Sequence, residues 1–592
     1  LHLCDRRQRQ MCIRDSNITL HYYILTHYQM KISTKNSINT AIILFFLFIK
    51  ATYTCLAQSN VFKEHPKYEV RAVWLTTIGG LDWPHIYAQT PTSISRQKKE
   101  LTDILDKLQK ANINTILLQT RIRGTVIYPS AIEPWDGCCS GFPGKSPGYD
   151  PLAFAIKECH NRGMEVHAWI VTIPLGKWNG LGCKTLRKKY PKMITKIGQD
   201  GFINPSSPIA AQYLSNICKE ITQNYDIDGI HLDYIRYPEK WNLSIPLTEA
   251  RKNITNIVKE INQSVKSIKP WVKLSCAPIG KFDDLSRYSS HGWNAYNKGC
   301  QDAQRWLREG LMDQIYPMMY FRGNQFYPFA MDWKENSYGK TIVPGLGIYF
   351  LSPSEGNWNI DEIKRQMHVS RFNGMGYAFF RNRFFCDNVK NLYLFTKDEF
   401  NLYPALTPPM KWVNNKRPQS PQNISTQIVG EDEVITWNNV DNNEEGGLMY
   451  NVYASKSFPV DIDDARNLLA TRIKNNHITI KKYSQNKFYY AITSINRYGN
   501  ESMPLQQASF NNYTGEEKFI QNDGKRLILP NKGSALDCEY VIIKSLTGNI
   551  IAIRPYKGKY ADISKINNGC YILLSLNKKN VAHRLGFFII KR

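Results

Sequence analysis

The chain has 592 residues, too many for one ordinary domain. Hydrophobic residues make up 42% and charged residues 21%, which excludes a disordered polymer and predicts two to four globular domains. The formal net charge of +26 is spread along the chain; it reads either as a soluble basic surface or as attraction to an anionic polymer such as cell-wall material, and the absence of a nucleic-acid motif disfavours DNA and RNA.

Residues 1–29 show no hydrophobic period and read as a leader foreign to the fold, with Met30 the expected start. A basic stretch, the apolar run AIILFFLFI (41–49) and the small-residue segment ending at Ala57 form the three parts of a signal peptide over 30–57. Its apolar run is too short to span a bilayer. Cys55 invites lipidation, but Tyr53 and Thr54 before it fit such a site poorly. Export to the cell surface, the extracellular space or the periplasm is the expectation. None of the cysteines forms a CxxC pair, which argues against structural zinc.

From residue 69 strands and helices alternate. EVRAVWLTT (69–77) predicts a strand and 95–112 a helix with Leu101, Ile104, Leu105 and Leu108 on one face. INTILLQTR (113–121) is the second strand. A helix over 150–163 opens with Asp150 as N-cap and Pro151 at N1. MEVHAWIVT (164–172), a helix over 207–225 and IDGIHLDYIR (227–236) follow. Helices over 247–268 and 300–309 precede strands over 272–278 and 313–320. TIVPGLGIYF (341–350), a helix over 360–371, GMGYAFFR (374–381) and a helix near 387–400 complete the run. Eight strand–helix units with strands apolar on both faces predict an α/β fold, a (β/α)8 TIM barrel over 61–405. No Gly-rich phosphate loop follows the first strand, which disfavours a dinucleotide fold.

Active sites of such barrels lie at the C-terminal ends of the strands. Unusual residues gather there. Trp74 ends strand one, Gln119 and Arg121 strand two, and His167 and Trp169 lie on strand three. The segment DGIHLDYIRYP (228–238) puts His231 and Asp233 on one face of strand four, followed by Arg236. Tyr320 follows strand six. Asp228 and Asp313 sit at strand starts, the wrong end, and are set aside.

The blocks RAVWLTTIGGLDWP (71–84), LLQTRIRGTVIYPS (117–130), EPWDG (133–137), PGYDPLAFAIKECHNRGMEVHAWI (147–170), YDIDGIHLDYIRYP (225–238), KLSCAPIG (273–280) and DQIYPMMY (313–320) occur in an order that resembles the glycosyl-hydrolase-like family 10 barrels. The resemblance covers about residues 69–405 and implies a glycoside hydrolase. A member of that family has been linked to cutting peptidoglycan glycan strands stripped of their peptides. The chain departs from the family pattern at VTIP (171–174), at PMMY (317–320) and in having only Asp233 where some members carry two adjacent aspartates.

Glycoside hydrolysis normally uses two carboxyl groups. Asp233 is the first candidate, as nucleophile or charge stabiliser, with His231 and Arg236 expected to hold it ionised. Its bland alternative is a buried carboxylate paired with Arg121. For the second group, Glu133, Glu355, Asp283 and Asp284 are open, each also readable as a solvated loop acid. Glu133 is favoured because its loop matches a family block. Trp74, Trp135, Trp169 and Tyr320 are candidate sugar platforms, with core packing the alternative for each. Arg71, Gln119, Arg121 and His167 offer donors to hydroxyl or carboxylate groups of a sugar. The two histidines lack a third ligand at credible spacing, so neither metal nor cofactor is expected.

Residues 404–425 are rich in Pro and Asn and read as a linker. The alternating strands of 418–510 resemble a fibronectin type III domain, with Trp437, Tyr453, Tyr489 and Tyr490 as core aromatics. Residues 519–592 contain SLTGNIIAI, ISKINNGCYILLSL and FFIIKR, and are similar to the C-terminal sorting domain of type IX secretion, which implies secretion machinery as a partner. Two small all-β sandwich domains are thus expected after the barrel. The sequence supports a secreted hydrolase of an amino-sugar polymer, with peptidoglycan glycan foremost. A hydrolase of another extracellular polysaccharide and a non-catalytic carbohydrate-binding surface protein are the alternatives.

Overall fold

In a computed structural model of the chain, the structure describes residues 64–592 apart from 287, 289–291, 440–443, 458, 482–487, 507–517, 521, 529–537, 547–549, 557–559 and 578–581. The expected leader and signal peptide, 1–57, lie outside the described residues.

The barrel strands are β1 (Arg71–Leu75), β2 (Thr115–Arg121) and β3 (Glu165–Val171). A small antiparallel sheet of β4 (Pro174–Lys177), β5 (Ile194–Ile197) and β6 (Asp200–Ile203) interrupts the series, with a helix over Leu181–Lys189. The barrel resumes with β7 (Gly229–Asp233), β8 (Lys273–Ala277), β9 (Gln314–Ile315), β10 (Thr341–Ile342), β11 (Gly345–Leu346) and β12 (Tyr377–Phe379). All neighbours are parallel, in the order β10-β9-β8-β7-β3-β2-β1-β12-β11. β10 and β11 are two pieces of the seventh strand. The first pairs with β9 and the second with β12, so the pairing runs round the ring in a TIM-barrel-like fold. The break falls at Val343 and Pro344, where proline has no N–H to give; its carbonyl still accepts from Ala378 N at 3.0 Å.

The helices form where the sequence caps them. Pro91–Lys110 starts at Thr90, whose side chain accepts from Ser93 N in a capping box, and buries Leu101, Leu105 and Leu108. Pro151–His160 is capped by Asp150, which accepts from Ala153 N. Helices over Ala210–Asn224, Leu247–Lys266 and Ile360–Phe372 pack their apolar faces into the same layer. A second, smaller cluster fills the barrel interior, with Val70, Ala72, Trp74, Leu117, Trp169, Ala277, Tyr316 and Ala378.

The fourth strand is shorter than expected, because Tyr234 turns to φ 53° directly after Asp233. Expected strand six keeps only Gln314–Ile315 in regular pairing. The β4–β6 sheet and a helix over Tyr327–Glu335 were not among the expected elements.

Beyond the barrel, β13 (Gln422–Val429), β14 (Asp432–Asn438) and β17 (His477–Lys481) form one antiparallel sheet. β15 (Met449–Ser455), β16 (Leu468–Ile473), β18 (Tyr489–Ile495) and β19 (Leu505–Gln506) form another, in the order β16-β15-β18-β19. Ile435, Trp437, Tyr450, Val452, Tyr490 and Ile492 make a core cluster shared by the two sheets. The last 75 residues hold a five-stranded sheet and a two-stranded one over a core that includes Leu527, Val541, Leu573 and Phe588.

The foot of the barrel is closed by charge. Glu165 accepts from Lys273 and from Thr407 Oγ1, and Asp228 accepts from His160 Nε2 at 2.7 Å. Arg472, on β16 and at φ 57°, reaches both carboxylates, Glu165 at 3.2 Å and Asp228 at 2.5 Å. Asp313 pairs there with Lys266 at 2.6 Å. The aspartates at strand starts, Asp228 and Asp313, are therefore structural, as their position implied.

Candidate active site

β7 delivers the core of the site. His231 lies beside Trp169 of β3 and Ser275 of β8, and Asp233 beside Val171 and Ala277, so both side chains face the interior. Below them Gly229 leaves room for the His167 ring: a Cβ there would lie 2.7 Å from it. That contact explains the glycine in DGIHLDYIRYP.

Asp233 is buried at the top of this stack. Its Oδ2 accepts from Trp169 Nε1 at 3.1 Å and its Oδ1 from Tyr234 N at 2.7 Å. Burial pushes the carboxyl above its usual range, while Arg236 and these two donors pull the other way. The left-handed Tyr234 is uncommon for an aromatic residue, and such backbone is concentrated at functional sites. His231 Nε2 accepts from Trp74 Nε1 at 3.2 Å, which places the ring proton on Nδ1, 3.0 Å from Ser275 Oγ. Burial, with His167 adding to it, holds His231 well below the usual imidazole range. His231 is thus neutral and does not help to ionise Asp233, contrary to expectation; Arg236 alone of that pair acts in this sense.

Several expected site residues lie elsewhere. Glu133 is fully buried, and Arg121 donates to it through Nε at 2.8 Å and Nη2 at 2.7 Å, with Tyr213 as a further donor. Arg121 also donates to the Val171 and Thr172 carbonyls. Both charges are consumed in bracing β2, β3 and the following loop, so neither Glu133 as catalytic acid nor Arg121 as sugar ligand stands. The bland alternative for Asp233 also fails in its partner, since Arg121 takes Glu133. Arg71 lies at the foot, where it pairs with Glu69 at 2.7 Å and donates to the Tyr403 carbonyl. Gln119 accepts from Thr77 N and Ile78 N, clamping the loop after β1. His167 is buried below the site, with Nε2 3.3 Å from Glu165. Trp74 and Trp169, 2% and 4% exposed, are packed in the interior and offer an N–H edge instead of a stacking face.

Other expected residues do reach the rim. Tyr320 is half-buried, stacked on Phe380 at 5.3 Å and edge-on to Tyr349 at 5.8 Å. Burial, and next the Asp233 charge, push its phenol well above the usual range. Trp135 is half-buried in the loop after β2. Glu355 is exposed, and its charge raises the Tyr349 phenol after burial has done so first. Asp283 accepts from Asn294 and Asn297 and holds its own loop together.

One acid was missed. Glu239 lies six residues after Asp233 and is half-exposed, with Arg236 Nη2 donating to Oε1 at 2.9 Å. Its charge is felt at both Asp233 and Tyr234. The closeness of Glu239 to Arg236 in the sequence was the available signal.

The chain is similar to known glycosyl hydrolases in sequence. Residues 69–250 and 242–350 match the family model Glycosyl hydrolase-like 10. Glycosyl hydrolase YngK of Bacillus subtilis (strain 168) is 28% identical over 478 residues, covering 73% of this chain and 92% of its own length. Glycosyl hydrolase DigH of Escherichia coli (strain K12) is 28% identical over 349 residues, 51% of this chain and 80% of its own length. Among solved structures, the PgaB (BpsB) glycoside hydrolase domain from Bordetella bronchiseptica aligns with a TM-score of 0.41 and 13% identity, over 57% of this chain and 99% of that one. The glycosyl hydrolase-like 10 match supports a glycosidase, and it contains every residue of the β7 cluster.

Proposed function

We propose that the chain is an exported glycoside hydrolase that cleaves an amino-sugar polymer at the barrel mouth, with peptide-free peptidoglycan glycan as the leading substrate. The observation that carries this reading is the buried Asp233 carboxyl, fixed by Trp169 and Tyr234 at the C-terminal end of a strand in the matched segment. Burial moves this carboxyl upward from its usual range, the direction that a general acid needs. Asp233 gives its proton to the leaving oxygen. Glu239, oriented by Arg236, is the anionic partner that activates water or attacks the anomeric carbon. Tyr320, Tyr349 and Trp135 supply the ring faces against which sugars stack.

The export route belongs to the same proposal. It rests on the signal-like segment 30–57 and on the resemblance of 519–592 to a type IX sorting domain, while 418–510 acts as a fibronectin type III-like spacer. Two single variants test the site. Glu239→Gln is expected to lose at least about 100-fold in turnover of peptide-free glycan strands, and Glu355→Gln to stay near wild type. Full turnover by Glu239→Gln would remove it from the mechanism.

A further inference from the structure

The insert between β3 and β7 is far more basic than the chain as a whole. Residues 174–203 hold seven Lys or Arg and a single acid, Asp200, which Lys177 takes at 3.1 Å. That leaves +6 in 30 residues, against +26 in all 592. Lys184, Lys188 and Lys189 stand on the outer face of the helix Leu181–Lys189, and Lys192 and Lys196 follow it, all five exposed. The inner face holds this layer in place. Cys183 and Leu186 are buried, and a Cβ at Gly182 would overlap the Arg123 carbonyl. Arg187 lies over the Trp178 ring at 4.0 Å and donates to the Trp178 carbonyl at 2.9 Å. The lysines are thus displayed from a packed base.

Exposed apolar residues adjoin the charge. A Cβ at Gly144 would touch Leu181 at 3.4 Å, which sets the loop 141–145 against the start of that helix. Phe142 in this loop is 51% exposed, with Lys145 over its ring at 5.2 Å. Tyr87, 55% exposed, lies beside Gly141. Single exposed apolar side chains are ordinary. Two exposed rings bordering a lysine face are the combination that suits a lipid–water interface, where rings enter the headgroup layer and lysines meet anionic phosphates. We propose that this surface docks the protein on an anionic lipid bilayer, with the five lysines on the headgroups and Phe142 and Tyr87 inserted among them. A soluble polyanion would satisfy the lysines but leaves the two rings without a role. The three segments follow the C-terminal ends of β1, β2 and β3, so docking sets the barrel mouth close to the lipid.

The test sediments the full chain with vesicles of phosphatidylcholine alone or with about 30% phosphatidylglycerol. Partition onto the anionic vesicles is expected to be at least about tenfold stronger, and to be lost in about 1 M salt. Lys184→Gln, Lys188→Gln and Lys189→Gln combined should weaken it at least about tenfold, while arginine at the same three positions should keep it. Lys157→Gln, Lys219→Gln and Lys252→Gln remove equal charge from exposed positions on other barrel helices and should stay within about twofold of wild type. Phe142→Ser, with charge unchanged, should weaken binding at least about threefold. Equal partition onto both kinds of vesicle overturns the proposal, as does an equal loss with the control lysines. Binding indifferent to Phe142→Ser, or lysine-dependent capture of poly(glycerol phosphate) with none of the vesicles, assigns the face to a soluble polyanion and overturns the lipid reading.

Discussion

Replacing Arg472 by alanine should unlock the foot of the barrel from the β-domain that follows it. The arginine side chain is 10% exposed and the carboxylates it meets, Glu165 and Asp228, are 2% and 4% exposed. Removing one partner of a buried ion pair costs about 3–5 kcal/mol, because the other charge stays buried without it. Glu165 keeps Lys273 and Asp228 keeps His160, so the cost should fall at the low end, about 3 kcal/mol. In a chain of this size that corresponds to a melting temperature lower by about 3 °C. The pH dependence has a definite sign. Despite burial, which acts the other way, Arg472 and its neighbours hold the Asp228 carboxyl well below its usual range, and Lys273 does the same for Glu165. Depressed carboxyls contribute stability above their unfolded values, near 4, and lose it as pH falls through the folded ones. Without Arg472 the folded values rise, so the variant should begin to unfold at a higher pH than wild type. Thermal melts of Arg472→Ala and wild type at pH 7 and pH 4.5 check this, with Lys474→Ala as the exposed control, expected within about 1 °C. A variant melting with wild type at both pH values would refute the reasoning.

Glu133→Gln should act on stability and not on chemistry: it strands the fully buried Arg121, costing about 3–5 kcal/mol by urea unfolding, while the folded fraction keeps wild-type kcat. Trp169→Phe removes the donor to Asp233 Oδ2, so the Asp233 carboxyl should titrate higher still, and the pH–rate profile should move to higher pH with it.

Much of the barrel was legible because strand and helix periods and helix caps are local properties. Asp150 and Pro151 announced a helix start that the structure confirms at Pro151. The seventh strand was legible as a run but not as two pieces, since the cost of Pro344 depends on which neighbours need its missing N–H. The β4–β6 sheet was not legible because its strands are four residues each and carry glycines and lysines in place of an apolar period. At the site, alternation placed His231 and Asp233 on one inward face correctly. The partners of Arg121 were not legible, because the chain after β2 returns Glu133, twelve positions on, to it. Arg71, Gln119 and His167 were misplaced for one reason: a polar residue in a strand looks the same whether it serves the mouth, the foot or a loop clamp. The Arg236–Glu239 pair was not legible because it follows the turn that Tyr234 makes, and an aromatic residue does not advertise a left-handed conformation.

The central claim is that the Asp233 carboxyl drives cleavage of a glycan. The direct measurement is mass spectrometry of peptide-free peptidoglycan glycan strands incubated with the wild-type chain and with Asp233→Asn. The account predicts shortened strands with wild type and a rate at least about 1,000-fold lower with the variant. Equal shortening by both proteins would contradict it, as would intact strands with wild type.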